Sequence, residues 1–203
     1  MEKEKLFNIL KDSEIKEEIE IIDKIYSSLE NKQIVFCDTF CIHCKDGCGK
    51  CCEHFTPEIS YLESLFLTYG LIIENKDKEV YEKLKESDDS IISCPLYDIN
   101  NLKHHCTVYK YRPLICRLFG ASASKDKNGK PVFRKCKWNE NGKDVSSEEF
   151  LSHLDSVITM DEYGHLILDN EPNNTNLLPL KKSLMSSIEK INLLIHLYNI
   201  NDK

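Results

Sequence analysis

The chain has 203 residues, 41% of them hydrophobic and 30% charged, with a formal net charge of −7 and an isoelectric point near 5.5. This is the composition of a folded globular protein, not of a disordered one. The acidic balance argues against a general nucleic-acid-binding face, and no run approaches the roughly 18 apolar residues of a membrane span, so neither nucleic acid nor membrane is expected as a partner.

The opening MEKEKLFNILKDSEIKEE is charged throughout and lacks the apolar stretch of a signal peptide. A cytoplasmic setting is therefore expected, where thiols stay reduced. A short helix around 3–11 precedes a longer one over 14–31, where Ile15, Ile19, Ile22, Tyr26 and Leu29 recur at helical spacing. IVF at 34–36 then leads into CDTFCIHCKDGCGKCC, whose Gly47 and Gly49 suit a tightly wrapped loop. Thr56-Pro57-Glu58 reads as a helix start, and EISYLESLFLTY continues to a stop at Gly70. A charged helix follows over 76–87, and DKNGKPVFRKC carries an Asn128-Gly129 hairpin turn. Ser146 and Glu149 make a capping box for a helix over 147–158. YGHLILD reads as a short strand. The end forms a long helix with Leu180, Leu184, Ile188, Ile191, Ile195 and Tyr198 on one face.

The expected fold is mostly α with small irregular β, a cysteine-rich metal-centred core packed by N- and C-terminal helices. The expected segments are 1–33 (helical), 34–140 (cysteine-cluster metal-binding domain) and 141–203 (helical, packing on the core).

Ten cysteines in a cytoplasmic chain read as metal ligands or redox groups before they read as disulfides. Cys37, Cys41 and Cys44 have C-x3-C-x2-C spacing, as do Cys44, Cys48 and Cys51, which is the triplet of radical-SAM enzymes. The chain has few strands, seven glycines and no strand–helix alternation after the motif, which argues against that barrel fold. Adjacent side chains in an extended or turn segment point in different directions, so Cys52 is expected to serve a second site or a second metal. Cys44, Cys48, Cys51 and Cys52 with Cys94, Cys106, Cys116 and Cys136 supply enough thiolates for two four-sulfur centres. Zinc and a [4Fe-4S] cube each take four, so the count leaves the metal open.

CKDGCGKCC, then TPEISYLESLF, then CPLYDINNLKHHCTVYKYRPLICRLFG, resembles the YkgJ-type cysteine-cluster family, a zinc- or iron-chelating domain. The resemblance runs over roughly 41–136, through Cys44, Cys48, Cys51, Cys52, Thr56 to Glu58, Cys94-Pro95, Cys106, Tyr109, Arg112-Pro113, Cys116-Arg117 and Phe119; Cys136 fits a late extra cysteine. Cys37 and Cys41 lie upstream of the shared pattern and are further candidate ligands. The resemblance implies iron–sulfur or zinc binding but no single reaction. One branch is similar to flagellin lysine-N-methylases, although no S-adenosylmethionine fold is recognisable here.

Arg112 and Arg117 flank Cys116 and are expected to compensate the negative charge of a thiolate centre by electrostatics and hydrogen bonds. His43, His54, His104 and His105 stand near the cysteines and read as bystanders; Tyr109, Tyr111 and Trp138 read as core or rim aromatics. The expected function is a multi-cysteine core holding one or two [4Fe-4S] centres with a redox or electron-transfer role and an unidentified protein or redox partner. The alternative is a zinc-stabilised, non-catalytic binding module.

Overall fold

The computed structural model describes residues 1–88, 93–138, 143–172 and 176–201. Short helix α1 (Lys3–Ile9) precedes α2 (Glu14–Phe40), which buries Ile15, Ile19, Ile22, Tyr26 and Leu29 as its periodicity requires. The helix does not end near residue 31. Phe36 and Phe40 extend the apolar stripe and pack on Phe150, the Phe40 and Phe150 rings stacking at 4.6 Å. IVF therefore lies within α2, which stops at Cys41 in the left-handed conformation (φ 53°).

After α3 (Lys50–His54), the chain enters a two-residue strand, β1 (Glu58–Ile59), which pairs antiparallel with β4 (Leu178–Pro179). This pairing replaces the helix expected to start at Thr56, because the 57–59 backbone is bonded across to 178–180. Helix α4 (Tyr61–Ile73) starts from Ser60 instead, whose hydroxyl accepts from the Glu63 N–H while the Glu63 carboxylate accepts from the Ser60 N–H. Gly70 does not stop α4. A Cβ there would stand 2.2 Å from the Tyr111 ring, so glycine admits that ring against the middle of the helix.

Helix α4 is buried nearly all round, between α2 and α9 (Leu180–Asn201). Leu180, Leu184, Ile188 and Ile191 face it, and Thr68 and Ser187 share a 2.6 Å hydroxyl contact across the interface. Helix α5 (Asp77–Glu86) packs on both. The middle of the chain is irregular: a 3-10 turn at Tyr109–Tyr111, α6 (Leu114–Leu118), and the expected hairpin of β2 (Ala123–Lys125) and β3 (Pro131–Phe133), with Gly129 at φ 78°. Helix α7 (Ser147–Ser152), capped by Ser146, gives way to a 3-10 turn at Leu154–Ser156. YGHLILD is helical, within α8 (Met160–Leu168): the Thr159 hydroxyl caps Glu162, and Tyr163 and Ile167 bury one face at i, i+4 spacing.

The fold is thus mostly helical with short antiparallel strands. Its interior is a hydrophobic cluster built largely on α2, α4 and α9, which includes Cys94 and has Cys37 and Cys52 packed against it. The expected segment boundary at 140 falls outside the described residues. No helix among the described residues is long and apolar enough to cross a membrane.

Candidate metal centre

Each cysteine-bearing segment is held by local devices that the sequence encodes. Gly47, at φ 70°, donates its N–H to the Lys103 carbonyl at 3.1 Å; a Cβ there would press on the Leu102 carbonyl at 2.9 Å. A Cβ on Gly49 would meet the His105 side chain at 2.6 Å. These two glycines let the 44–52 segment lie directly on the loop that carries Cys106. That loop is closed by Asn101, whose amide donates to the Cys106 carbonyl at 2.8 Å, and by the bridge between Tyr97 and Cys106. The Cys94 N–H donates to the Cys52 carbonyl at 2.8 Å, which straps the next segment to α3. Cys116 rides on α6, whose first N–H, from Leu114, donates to the buried Glu63 carboxylate at 2.7 Å. Gly120, at φ 68°, admits Cys136 at a distance a Cβ would close to 2.9 Å, so the hairpin returns Cys136 to the same region.

The electrostatics of the thiols define their neighbourhoods. Burial, then the proximity of Cys48, Cys51 and Cys136, pushes the Cys44 thiol up to about 11. Burial pushes Cys94 up to about 12, with Cys106 and Cys51 adding to it. Cys116 is driven well up by burial, then by Cys94, Cys106 and Cys51. Cys106 is raised by burial against the lowering influence of Arg112. Cys51 and Cys52 have sulfurs 4.0 Å apart; hydrogen bonding from Cys52 lowers Cys51 to about 6, aided by Arg112, while Cys52 is raised. The expectation that this pair sits on an extended or turn segment is corrected: both are on α3, with the two sulfurs near each other.

Cys37 and Cys41 stand apart. Cys37 packs against the hydrophobic core on α2, raised to about 11 by burial and then Asp38, and the Cys41 sulfur lies 3.8 Å from the Asp38 carbonyl. Like the other eight cysteines, neither is in a disulfide. Arg112 donates from Nε to the Cys116 carbonyl at 3.3 Å and its guanidinium covers the Tyr109 ring at 3.8 Å. Arg117 turns inward instead: it lies 4.0 Å over the Tyr26 ring and donates to the carbonyls of Arg112 and Lys110. It braces the turn before Cys116 through the backbone.

Between Cys51, Cys52, Cys94 and Cys116 lies a void of about 20 Å³, closed by Phe55, Pro57, Ile115 and Phe119. An aromatic row, Phe55, Phe119, Trp138 and His54, continues from it with ring centroids 5.5–6.5 Å apart. Among the described residues no three His, Cys, Asp or Glu side chains stand in an arrangement that could hold a metal ion. The donor set nevertheless fits a soft metal or an iron–sulfur centre. Thiols raised by burial and by one another cannot ionise together without a cation among them. His105 adds a second sign: its Nδ1 is buried without a hydrogen-bond partner, beside Cys106, on a residue at φ 50°. Such a group costs free energy unless something satisfies it.

Sequence reasoning treated His105 as a bystander and did not single out Glu63. The signal for Glu63 was present as Ser60-x-x-Glu63 at the head of an apolar run, hidden behind the more familiar Thr-Pro-Glu that starts four residues earlier.

A family model described as "CxxCxxCC: putative zinc- or iron-chelating domain" matches residues 43–140. The match takes in Cys44 through Cys136 and leaves Cys37 and Cys41 outside. No curated protein and no solved structure matches the chain.

Proposed function

We propose, from the match of residues 43–140 to a zinc- or iron-chelating domain, that the chain holds two adjoining four-thiolate centres with iron–sulfur occupants and a redox or electron-transfer role. Cys44, Cys48, Cys51 and Cys136 serve one centre; Cys52, Cys94, Cys106 and Cys116 serve the other. The observation that carries this reading is the division of neighbours at the vicinal pair. Cys44 feels Cys48, Cys51 and Cys136, whereas Cys94, Cys106 and Cys116 form a second group, and the vicinal pair stands where the two groups meet: Cys51 is felt by both, and Cys52 feels Cys94 and Cys106.

When bound, [4Fe-4S] centres supply one-electron transfer, at a potential set by burial and by hydrogen bonds to sulfur. The chain's own residues supply the rest. Phe55, Ile115 and Phe119 give the void beside Cys52 an apolar lining. Arg112, close to Cys51 and Cys106, offsets thiolate charge.

One distance favours a second reading, a zinc-stabilised module without catalysis. Zinc–sulfur bonds of about 2.3 Å in a tetrahedron set neighbouring sulfurs about 3.8 Å apart, and Cys51 and Cys52 are 4.0 Å apart. On a cube each thiolate sits on its own iron and the sulfurs stand further apart.

Purification without oxygen separates the two. The iron–sulfur reading expects brown protein with iron and inorganic sulfide in equal amounts. Colourless protein with stoichiometric zinc, and no cluster after anaerobic reconstitution, overturns it. The partition has its own test: Cys136→Ser and Cys106→Ser should each remove about half of the metal, and Cys37→Ser none. Complete loss from either of the first two would mean one shared centre.

A further inference from the structure

A cavity of about 890 Å³, bordered by Cys94 but by no other thiol among the described residues, lies between the β1–β4 pair, the end of α5, the start of α9 and the turn at 93–97. Its volume falls within the range of small-molecule sites. Pro57, Pro95, Pro179, Tyr97 and Met185 give it apolar walls. Cys94 and Pro57 line both this cavity and the small thiol-lined void, so one wall of the cavity is also a wall of the cysteine region.

The polar rim has an excess of positive charge. Lys83, Lys181 and Lys182 face Glu58 and Asp88, in a chain whose net charge is −7. Lys83 donates to the Tyr97 carbonyl at 3.2 Å and Lys181 to the Ser87 carbonyl at 2.7 Å, so two of the three ammonium groups are anchored at the rim by backbone oxygens. Lys181 and Lys182 occupy the first turn of α9, where the helix dipole disfavours cations and favours an anion.

We propose that this cavity binds a small organic anion with an apolar body. Its charged end lies at Lys83 and Lys182, and its body lies over Pro57, Pro95 and Met185, toward the wall that carries Cys94. An apolar floor with a cationic rim discriminates such a molecule from a neutral one of the same shape, which gains the floor but not the rim. The inference does not depend on which metal the thiols hold.

Hexanoate and phenyl phosphate are suitable probes, with 1-hexanol as the uncharged comparison, titrated into the full chain with its metal retained and followed by NMR. Saturable shifts of Met185 and Tyr97 by at least one of the two anions are expected, with weaker binding of hexanol. The double variant Lys83→Gln, Lys182→Gln should weaken the anion by about tenfold, as expected for a lost charge-assisted hydrogen bond, whereas Lys127→Gln in the β2–β3 turn should leave it unchanged. Met185→Trp should abolish binding by filling the floor. Failure of both anions to saturate, hexanol binding as tightly as the anions, or a double variant within twofold of the native chain would each overturn the proposal. Metal content, measured on the same samples, reports separately on the thiol centres.

Discussion

Gly70 and Gly164 are both helical glycines, and their surroundings set opposite outcomes for the same substitution. A Cβ on Gly164 of α8 would meet nothing within 4 Å, so Gly164→Ala should stabilise the protein by up to about 1 kcal/mol through helix propensity alone. At Gly70 the Tyr111 ring is in the way, at 2.2 Å, and overpacking should outweigh propensity to leave Gly70→Ala about 1–3 kcal/mol less stable. Urea midpoints of the two variants check this, and a stabilised Gly70→Ala would disprove the ring contact. Glu63 is the other residue on which much depends. It is buried, accepts from the Tyr26 hydroxyl at 2.9 Å and from the Leu114 and Ser60 N–H groups, and burial raises it above the ordinary 4.5 despite these bonds. The folded state therefore holds this proton more tightly than the unfolded chain does. The stability linked to that proton is full below the unfolded value and is lost as pH rises through the raised folded value. Relative to Glu63→Gln, which cannot ionise, the native chain should lose denaturant resistance across that window. A gap between the two that does not move with pH would show that Glu63 keeps the same affinity for its proton in both states.

Elements were legible where one face decided them. The periodicity of α9 and the first half of α2, and the Asn-Gly turn of the β2–β3 hairpin, carried enough local signal to be read directly. Several of the misreadings share a cause, which is that a partner distant in sequence decided the local outcome. Phe36 and Phe40 prolong α2 because Phe150 is there to receive them. Thr-Pro-Glu is extended because Leu178 and Pro179 offer a strand to pair with. The candidate site divides in the same way. The cysteine motif itself was legible from its order, and the family match spans 43–140, from before Cys44 to past Cys136. How its cysteines group was not, because that depends on α3 setting Cys51 and Cys52 on adjacent helical positions. The start of α4 offers a direct test of one such reading. Ser60→Ala removes half of a capping box and should cost about 1 kcal/mol, whereas Thr56→Ala should cost less because no helix begins there. Equal losses in thermal melts would restore Thr56 as the cap.

Two kinds of cohesion coexist in the whole molecule. The α2–α4–α9 interior is a continuous hydrophobic cluster held by apolar burial. Among the described residues the bonds that join the cysteine segments to it and to one another include Cys94 N–H to Cys52, Gly47 N–H to Lys103, Leu114 N–H to Glu63 and Lys76 to the Thr107 carbonyl, with close glycine approaches at residues 49 and 120. A metal bound by thiolates from several segments would add further cross-links between these loops. Metal removal should therefore act locally. After anaerobic chelation, far-UV circular dichroism should retain most of its helical signal. Amide hydrogen exchange should accelerate over 44–56, 94–108 and 114–120 while remaining slow in α4 and α9. If chelation instead melted α4 and α9 together with the loops, the metal would be integral to the hydrophobic interior and the separation drawn between the two would fail. If no segment changed its exchange, the thiols would not be cross-linked by metal at all.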